Sequence, residues 1–497
     1  KGDWKMDIKK NFIDGKWVDG TLGRNIEVVN PATGEVIALV SESSVDDVKK
    51  AILAAKKSFY VTREWRDMDS QTRADIILKI ADLIEEHTDE LAMMDTLDNG
   101  KPLREAEGDI ADGVHTFRYY AGLIKAPYGG GYGVNDGFGK MHSYETREPV
   151  GVCAQITPWN YPFLMSVWKV APAIAAGNSI VLKPSPKAPL STIRLFELME
   201  DAGMPAGSIN LVQGDAEVGT EMGLNKDVDM ITFTGSTKVG QSLMRSAAEN
   251  VKKIGLELGG KSPNVIFADA DMDGAVEWAM IGIFFNQGEV CSAGSRIIIE
   301  KSIKDEFVEK LAKKAKAMTI GNGVNNPDLG PLITEQHMER VLNYIQSGID
   351  EGATLVCGGK RYTEGECAKG YFVEPTIFDN CTPNMKIVQE EIFGPVVTIQ
   401  TFETEQEAID MANDTPYGLA SAVFTSDITR AHRVISEIRA GITWINCFNP
   451  TYNEAPWGGY KMSGIGRELG VHGLEEYQEI KQVNINLNPG VVGWYEH

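Results

Sequence analysis

Apolar residues recur at helical spacing through the first 125 positions. Val48, Ala51, Ile52, Ala55 and Phe59 fall three or four apart, which predicts a helix over 45–59. Ser44 with Asp47 supplies its N-cap. Ile76, Ile77, Ile80, Leu83 and Ile84 repeat the pattern and predict a helix over 71–86. A third helical run spans about 103–124, and a short strand segment precedes all three. A glycine-rich break at 127–139 reads as a turn or connector.

From residue 151 the texture changes. Short apolar runs at 151–156, 179–182, 209–212, 230–233 and 265–267 alternate with helical patterns at about 164–176, 191–202, 216–223 and 236–249. That alternation predicts βαβ units around a parallel sheet. A second α/β block runs from about 270 to 446. At the C-terminal end, 482–487 alternates polar and apolar residues, a strand with one face to bury. It would pair either within the fold or across a subunit interface.

Composition narrows the class. The 497 residues allow about three structural units at roughly 150 residues each. Lys and Arg number 48 against 70 Asp and Glu, a net charge of −22, which argues against nucleic acid and anionic membranes as partners. Six cysteines without a CxxC pair exclude a disulfide scaffold and a zinc ribbon, predict no metal site, and favour a reducing cytoplasm. The apolar stretch 170–182 is broken by Pro172, Gly177, Asn178 and Ser179, short of the ~20 apolar residues of a membrane span. Residues 1–10 carry no apolar signal core.

Several motifs invite chemistry. Gly255-Leu-Glu-Leu-Gly-Gly260-Lys261-Ser262 has the spacing of a phosphate-binding P-loop, but Pro263 biases Ser262 away from a helix and a strand pattern follows, so an ATPase is disfavoured. No GxGxxG is present. Cys291 lies in a polar, glycine-containing stretch after a helical run at about 272–285. Taken alone, it is either a small buried hydrophobe or an accessible nucleophile. Glu257 sits between leucines, where desolvation raises a carboxyl pKa and suits a general base; a solvent-facing strand residue is the other reading. Asn160, fixed between Pro158 and Pro162, presents a rigid amide suited to an oxyanion, or belongs to a plain turn. Lys183-Pro-Ser185 and Phe233-Thr-Gly235-Ser236 stand at strand ends, where α/β sheets bind cofactors and helix N-termini face phosphates.

Together these segments resemble the NAD(P)-dependent aldehyde dehydrogenase superfamily. The likeness covers nearly the whole chain and includes Pro158-Trp-Asn-Tyr-Pro162, Leu256-Glu-Leu-Gly-Gly-Lys261, Gly288-Glu-Val-Cys291, Glu390-Glu-Ile-Phe-Gly-Pro395 and Pro456-Trp-Gly-Gly-Tyr-Lys461. It implies Cys291 as the nucleophile, Asn160 with the Cys291 backbone N–H as the oxyanion hole, and Glu257 as the base that hydrolyses a thioester. Lys169 and Glu468 match a proton relay in betaine aldehyde dehydrogenases. For the cofactor, the likeness implies Lys183 and Ser185 at the adenosine ribose, and Gly235 and Ser236 at the diphosphate. Glu391 would hold the nicotinamide ribose and Phe393 would lie beside the ring. Ile156, Thr157, Pro158 and Trp159 would complete one wall, and Gly214, Gly219, Phe233, Val239, Leu258 and Gly259 the rest.

The likeness is greatest to bacterial betaine aldehyde dehydrogenases, through Val167-Trp-Lys169, Phe284-Phe285 and Gly464-Ile-Gly-Arg-Glu468. It implies oxidation of betaine aldehyde to glycine betaine, with Tyr161, Trp168, Phe285 and Trp457 as an aromatic box for the cation. Ile442 stands near a position where bulk in some relatives favours ω-aminoaldehydes, which with uncharged aldehydes form the alternative. Two residues depart from the pattern. Pro186 replaces an acidic residue of NAD-preferring members, so NADP is expected to be tolerated. Glu289 replaces the usual glutamine, placing an acid near the nucleophile that would disfavour its thiolate. A CoA-acylating relative would lack the need for Glu257, and its presence favours water.

The expected fold is α/β: a Rossmann-like coenzyme domain from 1–127 and 150–259, a catalytic α/β domain at 260–473, and a β oligomerisation arm from 128–149 and 474–497. The likeness implies a homodimer or homotetramer, and it leaves structural potassium without a decisive signature.

Overall fold

The structure, a computed structural model, describes residues 8–126, 130–136 and 139–495. Of the segments read above, 1–7 and, within the glycine-rich break, 127–129 and 137–138 lie outside the described residues.

Two twisted sheets organise the chain. In the first, five parallel strands lie in the order Lys253–Glu257, Met230–Thr234, Val152–Ile156, Ser179–Lys183, Ile209–Leu211. Every residue of the last four is buried, so each reads as a short, mostly apolar run. Helices cover both faces. Pro162–Ala176 and Leu190–Ala202 pack with Ser70–Glu86 and Leu103–Ile124 on one side. Val45–Lys57, Ala216–Leu224 and Thr237–Ala247 pack on the other. Strand order reverses between Val152–Ile156 and Met230–Thr234, the switch point at which doubly wound sheets bind ligands.

The second sheet runs Thr354–Cys357, Thr376–Asp379, Val396–Phe402, Arg296–Glu300, Pro263–Ile266, Ala420–Phe424, Ile442–Ile445, parallel except for the first strand. Pro263–Ile266 begins directly after Ser262, so no helix opens there and the P-loop spacing is accidental. The chain returns once: Gly464–Ile465 pairs antiparallel with Leu256 and Glu257 at the edge of the first sheet.

Three expectations change. Before residue 45 there are five short strands rather than one segment, each of two to six residues and too short to show alternation. A helix, Thr88–Asn99, was not foreseen. Its buried side includes Asp95, Thr96, Asp98 and Asn99, so no apolar stripe marks it. The glycine-rich break is not merely a connector, for it contains the strand Gly131–Asp136. That strand pairs with Gly139–Pro149, which pairs in turn with the C-terminal strand Gln478–Asn486. The C-terminal strand therefore pairs within the chain, while Ile480 and Leu487 beside it remain exposed. No helix among the described residues is long and apolar enough to cross a membrane.

Candidate active site

Glu257 ends a strand of the first sheet, and the chain then crosses through Leu258, Gly259 and Gly260 to the second sheet at Pro263. Cys291 follows the helix Met272–Phe284 and a tight turn, Phe285–Gly288. Both side chains line one cavity of about 670 Å³, together with Glu468 and with Tyr161, Trp168, Phe285 and Trp457. Tyr161 and Trp168 come from the start and middle of the helix Pro162–Ala176, Phe285 and Trp457 from elsewhere, and all four meet around one space. Trp168 and Trp457 pack edge-on, with ring centroids 5.5 Å apart. Trp278 and Phe448 join them, and Glu105, Asp109 and Asp112 from the helix Leu103–Ile124 bring carboxyls to the same cavity. Sequence reasoning missed these five; the i, i+4, i+7 spacing of the three acids was the available signal. Ile442 belongs to a strand of the second sheet and is not among the lining residues.

The loop that carries Cys291 is held tightly. Asn286 and Gln287 adopt left-handed backbone conformations with φ of 46° and 57°, both buried. Gly260 approaches so closely that a Cβ there would stand 2.4 Å from the Cys291 carbonyl oxygen. Its N–H donates to Glu391 Oε1 at 2.9 Å. Asn160 is buried, and its Nδ2 donates to the Glu289 carbonyl at 2.9 Å. An amide nitrogen carries two hydrogens, so the second stays available for an oxyanion.

The electrostatics favour neutral groups at rest. Burial, then the negative charge of Glu257, pushes the Cys291 thiol well above its ordinary range. Burial, then the charge of Glu468, likewise raises the Glu257 carboxyl, whose Oε1 has no hydrogen-bond partner. Lys169 and Glu468 form a close ion pair, the lysine 1% exposed. The expected effect of Glu289 is corrected. Its side chain turns toward the Ile333 N–H, which donates to Oε1 at 3.0 Å, and burial pushes the carboxyl well above its ordinary range. The acids that disfavour the thiolate are Glu257, then Glu391 and Glu468, and not Glu289.

The other singled-out residues gather at the strand ends of the first sheet. Ile156 ends one strand of the switch point and Thr157, Pro158 and Trp159 follow it, while Phe233 lies in the other strand and Gly235 and Ser236 follow that one. Ser236 caps the helix Thr237–Ala247, its Oγ accepting the Val239 N–H. Leu258 packs near Gly240 of that helix. Gly214 precedes the helix Ala216–Leu224. On that helix, a Cβ at Gly219 would stand 3.5 Å from Ile156 and 4.0 Å from Lys183. Lys183 is buried, which lowers its pKa to about 8, and its Nζ reaches only the Pro184 carbonyl at 3.4 Å. Ser185 is buried beside it. Across the cleft, Phe393 takes a φ of 63°, its carbonyl meets His337 Nε2 at 2.6 Å, and its ring packs edge-on against Trp159 at 5.3 Å. A lysine short of partners, a helix N-terminus and a side-chain-free position at a switch point are the features a dinucleotide requires.

The aldehyde dehydrogenase family profile matches residues 17–483. The chain is 50% identical over 486 residues to the betaine aldehyde dehydrogenase of Bacillus subtilis (strain 168), covering 97% of this chain and 99% of that protein. It is 45% identical over 496 residues to the peroxisomal aminoaldehyde dehydrogenase 1 of Pisum sativum, covering 98% and 97%. Among solved structures, the betaine aldehyde dehydrogenase of Staphylococcus aureus in complex with NAD+ matches with a TM-score of 0.96 at 47% identity, over 98% of this chain and 97% of that one.

Proposed function

Because the chain belongs to the aldehyde dehydrogenase family and oxidises aldehydes with NAD(P), we propose that its substrate is betaine aldehyde, converted to glycine betaine on Cys291. The observation that carries this reading is the cavity that joins Cys291 and Glu257 to six aromatic rings. A trimethylammonium group donates no hydrogen bonds and is recognised by aromatic faces, each worth ~0.5–2 kcal/mol.

The Cys291 thiol gives up its proton to water in the cavity as Sγ bonds to the aldehyde carbon. The Asn160 amide stabilises the alkoxide oxygen that forms. Bound NAD supplies the hydride acceptor, and Lys183, Ser185, Gly235, Ser236, Glu391 and Phe393 are the residues that hold it. The carbon left on sulfur is a thioester. Glu257 takes a proton from water, the resulting hydroxide attacks that carbon, and the C–S bond breaks to return Cys291. The Lys169–Glu468 pair behind Glu257 carries its proton away. Splitting the oxidation from the hydrolysis replaces one hard step by two easier ones.

The carboxyls of Asp109 and Asp112 favour a second reading, ω-aminoaldehydes, since a primary ammonium can donate to them. Comparing kcat/KM for betaine aldehyde, 3-aminopropionaldehyde and 3,3-dimethylbutanal separates these. The last is the uncharged isostere of betaine aldehyde, and the box predicts it at least about tenfold worse. Equal values for all three would remove the cation reading.

We further assign residues 1–127 and 150–259 to coenzyme binding, 260–473 to catalysis, and 128–149 with 474–497 to an arm that joins subunits in a homodimer or homotetramer in the cytoplasm. Exposed Ile480, Ile485, Leu487 and Val491 support an arm that docks on a second copy. With Pro186 where an acid would repel a 2′-phosphate, NADP is expected to serve as well. Steady-state kinetics with NADP more than about a thousandfold worse than NAD, ~4 kcal/mol, would refute this.

A further inference from the structure

We propose that Glu105 is a positioning residue for the nucleophile, holding the backbone of the Cys291 loop in place through Asn286. The inference rests on Cys291 being the nucleophile. Glu105 occupies the first turn of the helix Leu103–Ile124, far from Cys291 in sequence. Its carboxyl lines the substrate cavity, and Oε2 accepts the Asn286 backbone N–H at 2.9 Å.

Asn286 is the first of the two consecutive left-handed residues that precede Gly288. Non-glycine residues keep such conformations only where the surroundings over-determine them. Two side-chain bonds complete the restraint: Asn286 Nδ2 donates to the Asn160 carbonyl at 2.8 Å and to the Glu289 carbonyl at 3.2 Å. The Glu289 carbonyl also receives the Asn160 amide. One buried asparagine therefore ties the Glu105 carboxyl to the oxyanion donor and to the peptide two residues before Cys291. Release of the Glu105 bond frees the strained turn and shifts both reacting groups together.

The acceptor survives either protonation state. Burial raises the Glu105 carboxyl to about 8, against Lys101 and Arg104, which lower it, and Asp109, which raises it further; Tyr161 faces the same group. A neutral carboxyl still presents a carbonyl oxygen to the Asn286 N–H. A glutamine does the same, an aspartate falls one methylene short, and a leucine offers no acceptor.

The test uses the full-length enzyme, propanal as an uncharged substrate, and iodoacetamide as a probe of Cys291, with circular dichroism to check folding. Glu105→Asp and Glu105→Leu should each lower kcat for propanal about tenfold or more with KM little changed, and alter the Cys291 alkylation rate about fivefold. Glu105→Gln should restore most of the kcat that Glu105→Leu loses. Should Glu105→Leu fail to fold, the Asp and Gln variants decide alone. Wild-type kcat in Glu105→Asp, or a Gln variant as slow as Asp, overturns the proposal. Alkylation that leaves propanal oxidation intact would instead unseat Cys291 as the nucleophile, a separate failure.

Discussion

Replacing Cys291 by alanine is expected to lower kcat/KM for aldehyde oxidation by ~10⁴-fold or more, about 5.5 kcal/mol. The size follows from the chemistry. Without the sulfur no thiohemiacetal forms, and the remaining groups act on a hydrated or free aldehyde that lacks the covalent anchor. The cavity walls stay intact, so cofactor binding should survive, as measured by fluorescence quenching. Reduced cofactor followed by absorbance is the readout, and near-wild-type activity would overturn the covalent mechanism. The half-buried, neutral thiol sharpens the expectation. Its reactivity depends on a proton acceptor nearby and not on a standing thiolate, so alkylation of the wild-type thiol should speed up as pH rises.

Glu257→Gln should separate the two half-reactions. Oxidation to the thioester should still occur once, giving a burst of about one reduced cofactor per active site. Turnover should then slow by ~10²–10⁴-fold, the usual contribution of a general base. Because burial and Glu468 raise the Glu257 carboxyl, its basic form accumulates only as pH rises well above the ordinary carboxylate range. The wild-type hydrolysis rate should therefore climb with pH through that raised value, and the Gln variant should lose the climb. Rapid-mixing experiments that show no burst, with an unchanged pH profile, would assign the base elsewhere.

Much of the fold was legible because its central strands are buried on both faces and its helices carry apolar stripes. The strands between 152 and 234 read as short apolar runs for that reason. Thr88–Asn99 did not, because tertiary contacts bury its polar residues. The site was legible through its motifs, which named Cys291, Glu257 and Asn160 but not how they are held. Whether Glu289 faced the nucleophile was a matter of side-chain direction that spacing cannot supply. Trp278 and Phe448 escaped because nothing along the chain links them; only the closing of two sheets brings them to one cavity. Asn286 looked like a polar flank and proves to donate to three acceptors, the Glu105 carboxyl and the Asn160 and Glu289 carbonyls.

The late return of Gly464–Ile465 to the first sheet bears on how the chain can be made. Synthesis is vectorial, and the strand ending in Glu257 emerges long before its edge partner. At ~5–20 residues per second, the roughly 200 intervening residues take on the order of 10–40 s. Throughout that interval the strand ending in Glu257 is an open sheet edge, the kind of surface on which nascent chains mispair. The segment at residue 463 thus acts as a latch on the first sheet, closing Leu258 N–H onto the Ser463 carbonyl only after the residues between them have been made. A ribosome stalled before residue 463 would leave that edge of the first sheet open, and a chaperone that shields it should raise the yield of active enzyme more than one that binds the finished chain.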